Sequence, residues 1–238
     1  CSTCLRGQPN HCPHRTVLGI LRHDGAMADY VRVATRNLHV IPQEIPDEEA
    51  VFIEPLAAAY RWTEQVAVGP SDSIAILGDG KLGILCAWVA RAQTSGPVLL
   101  IGKHPAKLEL AGPGIATRRL DQGDDDDSNH AFDLVIEATG HPSGLAKALE
   151  LVRPGGTVVL KTTLAEPHHL TLAPLVIDEV QVIGSRCGPF PRAIAALLAR
   201  EIDVRPLIEA ILPFDRVEEA FRLAATPGAR KVLMRMDG

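Results

Sequence analysis

Along the chain, the pattern of apolar and polar positions changes near Ser73. Residues 1–45 are irregular, with one weakly alternating stretch, "GAMADYVRVA", that follows a glycine turn and reads as an edge strand. "IPDEEAVFIEPLAAAYRWTEQV" reads as helical. Pro46 and Asp47 supply start chemistry, and Ala57 to Ala59 favour helix. "SIAILGDGKLGILCAWVARAQ" is then an apolar strand, a glycine-rich turn and a helix whose Leu82, Leu85, Cys86 and Val89 share one face. "VLLIG" is a second buried strand, "HPAKLELA" a helix and "FDLVIEATG" a third strand. "HPSGLAKALELV" follows as a helix, "RPGG" as a turn, and "TVVLKTT" and "VQVIGSR" as strands. "RAIAALLAREI" and "RVEEAFRLA" read as helices and "KVLMRM" as a closing strand. Strands alternating with helices imply parallel pairing with both faces covered, so the expected class is α/β with a doubly wound parallel sheet.

Composition narrows the function classes. The chain has 238 residues, 46% apolar, with a net charge of −5, which is enough for a large core and one or two domains. Mild acidity argues against a nucleic-acid partner, which needs a clustered basic face. No apolar run approaches the ~20 residues of a bilayer span, so no membrane partner is expected. No signal peptide is expected ahead of Cys1. Five cysteines, three of them in the first twelve residues, fit a secreted disulfide scaffold poorly; a cytoplasmic location is the expectation. "DQGDDDDSN" is the single low-complexity run and reads as a solvated loop. His168-His169 also reads as solvated, and Cys86 as a packed thiol.

Gly78, Gly80 and Gly83 form G-D-G-K-L-G between a strand and a helix. The first glycine permits a tight turn, the second lets backbone approach a pyrophosphate, and the third lets helix and strand pack closely. The helix from Lys81 and Leu82 aims its free N–H groups at the phosphates. The motif predicts dinucleotide binding. At the tip of the second strand, Gly102-Lys103-His104 offers no carboxylate for a ribose diol, and Lys103 could pair with a phosphate. Both features tilt toward NADP, with NAD left open.

Cys1, Cys4 and Cys12, spaced C-x2-C-x7-C, suit a tetrahedral zinc, and His11 or His14 could complete it. A redox C-x-x-C pair and free thiols are the alternatives.

In order, the cysteine-rich start, "GAMADYVRV", "EEAVFIEPLAAA", "AILGDGKLGIL", "VIEATG", "RPGGTVVLKTT" and "IGSRCGPF" resemble the zinc-dependent alcohol dehydrogenases of the medium-chain dehydrogenase/reductase superfamily. The resemblance covers essentially the whole chain. It implies a Rossmann domain beside a partial GroES-like catalytic domain. The expected boundaries are 1–45 for the part with the structural-zinc lobe, 46–185 for the nucleotide domain and 186–238 for a return to the catalytic domain. It implies that Cys1, Cys4 and Cys12 are three of four structural-zinc ligands, with the first upstream of Cys1. The other catalytic-zinc ligands would also lie upstream, and Glu54 stands at the position of a later one. Ala138, Thr139, Gly140, Thr162, Ser185 and Arg186 become cofactor contacts, with Arg186 and Lys231 the charges placed for the pyrophosphate.

The implied activity is hydride transfer between NAD(P) and an alcohol, aldehyde or polyol, in a homo-oligomer, dimer or tetramer. The rivals are a zinc-free reductase resembling the quinone reductases and a dinucleotide-binding fragment without turnover.

Overall fold

The computed structural model describes residues 1–121, 129–165 and 170–236. The acidic run from 122 to 128 and His168-His169 lie outside them. The chain divides into two compact units, Cys1–Val40 and Ile41–Gly238.

The first unit contains a short helix, α1 (Ser2–Leu5), two 3-10 turns and one isolated antiparallel bridge between Val17 and Leu21. None of its residues is buried. "GAMADYVRVA" is not a strand here. A strand needs a ladder partner, and no described segment of the unit pairs with it.

The second unit opens with α2 (Asp47–Ala50) and α3 (Ile53–Tyr60). Six strands then form one parallel sheet: β1 (Ile74–Leu77), β2 (Val98–Gly102), β3 (Ala116–Arg119), β4 (Phe132–Glu137), β5 (Val152–Leu160) and β6 (Gln181–Gly184). Their order is β3-β2-β1-β4-β5-β6, with each neighbouring pair parallel. The order reverses beside β1, which creates the switch-point crevice where open α/β sheets bind ligands. Between strands run α4 (Lys81–Gln93), α5 (Pro105–Leu108), α6 (Gly144–Leu151) and α7 (Ala173–Ile177). After β6 come α8 (Phe190–Leu198), β7 (Ile208–Pro213), α9 (Val217–Ala224) and β8 (Lys231–Arg235), with β7 and β8 paired in parallel.

Apolar side chains cover both faces of the sheet. On one side Ile74, Ile76, Leu100 and Ile136 pack with Leu85, Cys86 and Val89 of α4 and with Leu56 and Tyr60 of α3. On the other, Ala75, Leu77, Ile101, Val135 and Val158 pack with Ala148 and Leu151 of α6. "RPGG" lies inside β5 rather than in a separate turn. The strand accommodates it through a register shift opposite Phe132 and Leu134 and a positive φ at Gly155. The division falls at 40/41, and residues 186–238 sit in the same unit as the sheet, because α8 sets Ala193, Ala196 and Leu197 into the core shared with α3 and α4. Among the described residues no helix is long and apolar enough to cross a membrane.

Candidate functional site

Because every strand of the sheet is parallel, the loops after β1, β2, β4, β5 and β6 open on one rim, where each touches the next. The turn after β1 sets Gly78 at φ +118°, and a Cβ there would lie 2.6 Å from the carbonyl oxygen of Ala138, beyond β4. Only a glycine tolerates both the angle and the approach. Gly83 packs so closely that a Cβ would lie 1.9 Å from Gly78 O, which is how α4 meets the turn. Over Gly80 the space is open, with no atom within 4 Å of an added Cβ. Helix α4 starts there with no side-chain cap, so its first-turn amides remain available to an anion.

The loops after β1 and β2 are joined through Asp79. Its Oδ2 accepts from the amides of Lys103 at 2.8 Å and His104 at 2.6 Å, and its carboxylate also contacts His104 Nδ1 at 3.0 Å. Beyond β4, the amide of Gly140 donates to Thr162 Oγ1 at 3.0 Å, in the loop after β5. Glu137, fully buried at the end of β4, accepts from the amide and hydroxyl of Thr139, while its Oε2 has no hydrogen-bond partner among the described residues. Lys161, buried next to Thr162, donates to Ser185 Oγ at 3.2 Å beyond β6, and to Ala58 O of α3 at 2.6 Å. Burial pulls its ammonium pKa below the ordinary value, and Arg61 adds to the effect while Glu54 opposes it.

The sequence-predicted cofactor residues Gly78, Gly80, Gly83, Gly102, Lys103, His104, Ala138, Thr139, Gly140, Thr162 and Ser185 therefore lie along this rim. A cleft of about 330 Å³ runs over its β1–β2–β4 part, lined by Gly80, Gly102, Lys103, Lys107, Thr139 and Lys147 among others. The open space over Gly80, the uncapped helix start and this cleft fit the diphosphate and adenosine half of a dinucleotide. Lys81 begins α4, where burial lowers its pKa and Lys107 and Lys231 add to the effect. Lys231 on β8 is thus brought near the glycine turn, and its Nζ lies 5.6 Å from the ring centroid of Phe52. Leu82 is half-buried against the core, and Arg186 is exposed beyond β6. Asp79 and Lys161 are the residues that sequence reasoning missed.

In the first unit the sulfur of Cys1 lies 3.6 Å from that of Cys4 and 3.7 Å from that of Cys12, and all three fall within 4.8 Å of one another. Thiolates at ~2.3 Å around one tetrahedral zinc are separated by about 3.8 Å, so the cluster fits that ion. His11 and His14 do not join it. All five cysteines are free thiols. Cys86 is packed in the core, where burial pushes its pKa up to about 11. Glu54 is exposed in the first turn of α3 and joins no cluster of three potential ligands among the described residues. The donors described on this chain therefore do not by themselves assemble a catalytic zinc.

A doubly wound sheet with a glycine-rich turn at its switch point, in a chain that also carries a zinc-fitting thiol cluster, defines a dinucleotide-dependent oxidoreductase architecture. The zinc-binding dehydrogenase family profile matches residues 83–202, and the chain belongs to that family. D-xylulose reductase A of Aspergillus oryzae is 26% identical over 253 residues, covering all of this chain and 71% of that protein. The crystal structure of L-idonate 5-dehydrogenase from Escherichia coli superposes with a TM-score of 0.91 at 25% identity, covering 99% of this chain and 72% of that one. A zinc-binding dehydrogenase from Sinorhizobium meliloti bound to NADP gives 0.89 at 26% identity, covering 99% and 73%.

Proposed function

We propose that the protein transfers a hydride between NAD(P) and an alcohol or polyol. The observation that carries this reading is the rim itself: a phosphate turn held open at Gly80, continuous with the loops after β4, β5 and β6. In this reading the amides at the start of α4 take the diphosphate. Thr139, Gly140, Thr162 and Ser185 orient the nicotinamide half, fixing distance and angle to the substrate. Cys1, Cys4 and Cys12 would hold a zinc that supplies folding energy to their unit. The relative named for a sugar-polyol reaction and the neighbour named for L-idonate favour polyhydroxylated substrates.

A homodimer is part of the proposal. β6 is the last strand of its sheet, with a ladder to β5 only among the described residues, and Val182 on it is 39% exposed. Reduced thiols at the start of the chain suit a cytoplasmic setting.

That Glu54 joins no cluster of three potential metal ligands among the described residues favours a second reading, dinucleotide binding without turnover. One experiment separates the two. The chain is loaded with zinc and titrated with NADH and NADPH by fluorescence, then assayed at 340 nm with both oxidised cofactors and a panel of polyols. Binding with turnover supports the oxidoreductase, binding alone supports the second reading, and no binding overturns both.

A further inference from the structure

We infer that Asp79 is the residue that selects the cofactor, and that it selects NAD over NADP. This rests on the dinucleotide reading above and carries it to the adenosine ribose. In such sheets the 2′ position of that ribose comes to the tip of the second strand, where an acid favours the free diol and a basic residue accommodates a phosphate. The tip of β2 is Gly102, which has no side chain. The space its side chain would enter is already filled: a Cβ on Gly102 would lie 2.4 Å from Asp79 Cβ and 2.6 Å from Asp79 Oδ2. The carboxylate that is absent from the strand tip in sequence is thus delivered to it in space, from the glycine turn after β1.

The hydrogen bonds support this placement. The amides of Lys103 and His104 are successive N–H groups directly beyond the strand, the kind of concavity that takes an anion. Both donate to Asp79 Oδ2, at 2.8 and 2.6 Å. A 2′-phosphate arriving here would find its amide donors taken and a negative charge beside it. Among the described residues, Oδ1 makes only a 3.2 Å contact with His104 Nδ1, so it can accept from a ribose hydroxyl.

The lysines around the cleft act in the opposite direction. Lys103 is exposed, Lys107 is partly buried, and Lys147, its side chain 18% exposed, is paired with Glu150 at 2.9 Å. The Lys103 charge faces water and is screened within about 10 Å at 0.1 M salt, and Glu150 offsets that of Lys147, whereas Asp79 is only 7% exposed and keeps its field. This inference runs against the tilt toward NADP drawn from Gly102-Lys103-His104. The neighbour bound to NADP matches this chain at 26% identity, and its cofactor is a property of that protein.

The test is calorimetric titration of the full chain and of Asp79→Asn with NADH, NADPH, 5′-AMP and 2′,5′-ADP, which reads binding without turnover. The wild type should bind NADH at least about tenfold more tightly than NADPH. Asp79→Asn should shift that ratio toward NADPH, and the 5′-AMP to 2′,5′-ADP ratio with it, by about fivefold or more. Tighter NADPH binding by the wild type overturns the inference, and that measurement decides the matter alone if Asp79→Asn fails to fold. An unchanged ratio in a folded Asp79→Asn overturns it equally. Binding of no dinucleotide by the wild type overturns the dinucleotide reading itself, and the inference falls with it.

Discussion

The ammonium of Lys161 lies 2.6 Å from the carbonyl oxygen of Ala58, tying the end of β5 to helix α3. A buried cation held by neutral oxygens gains hydrogen bonds but loses hydration. Its pKa is lowered by burial, so the folded state binds this proton less readily than the unfolded chain does. The burial cost is present at low pH and is relieved as pH rises through the folded value toward 10.5, the ordinary one. Relative to Lys161→Met, the wild type should therefore gain stability between pH 8 and pH 10. Denaturant midpoints for both proteins at the two pH values check this, and a constant difference would refute it.

The glycines of the turn should separate folding from binding. Gly83→Ala places a methyl 1.9 Å from Gly78 O and should cost at least about 1–3 kcal/mol, lowering Tm by several degrees. Gly80→Ala meets nothing within 4 Å, so stability should change by no more than about 0.5 kcal/mol. The added methyl occupies the open approach to the turn, so dinucleotide affinity should fall about tenfold. Thermal melts and cofactor titrations on the two variants measure both effects.

With none of its residues buried, Cys1–Val40 has no hydrophobic core to hold it. A metal at the three sulfurs must supply that energy if the unit is to stay folded. Elemental analysis of the purified chain should find zinc, and Cys4→Ser should lose it. Chelation should open residues 1–40 to trypsin at Arg6, Arg15 and Arg22 while the remainder resists. Equal resistance with and without chelator would show that the metal does not hold this unit.

Asp133 sits at the opposite, amino-terminal end of the sheet. Burial acts to raise its pKa, but donation from the amide and hydroxyl of Ser73 and from Arg153 outweighs it and brings the value down to about 2. A lowered carboxylate pKa stabilises the fold above 3.8, and that contribution disappears as pH falls toward 2. Asp133→Asn should cost about 1–2 kcal/mol at pH 7, a figure that allows for solvent screening. The difference from wild type should shrink below pH 3.8 and disappear as pH falls through 2 in acid-unfolding curves.

If β6 pairs with its counterpart in a second copy, Val182→Pro removes an amide donor from that edge. Light scattering should then report a monomer where the wild type gives a dimer, with the circular dichroism of the sheet retained. A wild-type monomer would overturn the pairing.

Most of the sheet could be read from the sequence because its strands are buried on both faces. "IAIL", "VLLIG" and "FDLVIE" are apolar runs bounded by turn residues. β3, "ATRR", is a polar edge strand with no such pattern, and β7, "IEAILP", ends in proline; neither was anticipated. The glycine turn was legible because its chemistry is local. Asp79 was not, because its role depends on the absence of a side chain at Gly102, a contact made only after β1 and β2 pair. Lys161 read as the end of a strand until α3 and β6 were placed around it.

Both tryptophans, Trp62 and Trp88, belong to the Ile41–Gly238 unit. Trp62 is fully enclosed, while Trp88 rides on α4, its indole N–H shared between the carbonyls of Leu110 and Ala111. Emission excited at the red edge therefore originates in the sheet-bearing unit alone. Quenching or energy transfer to a reduced nicotinamide would report loading of the helix that begins at the glycine turn.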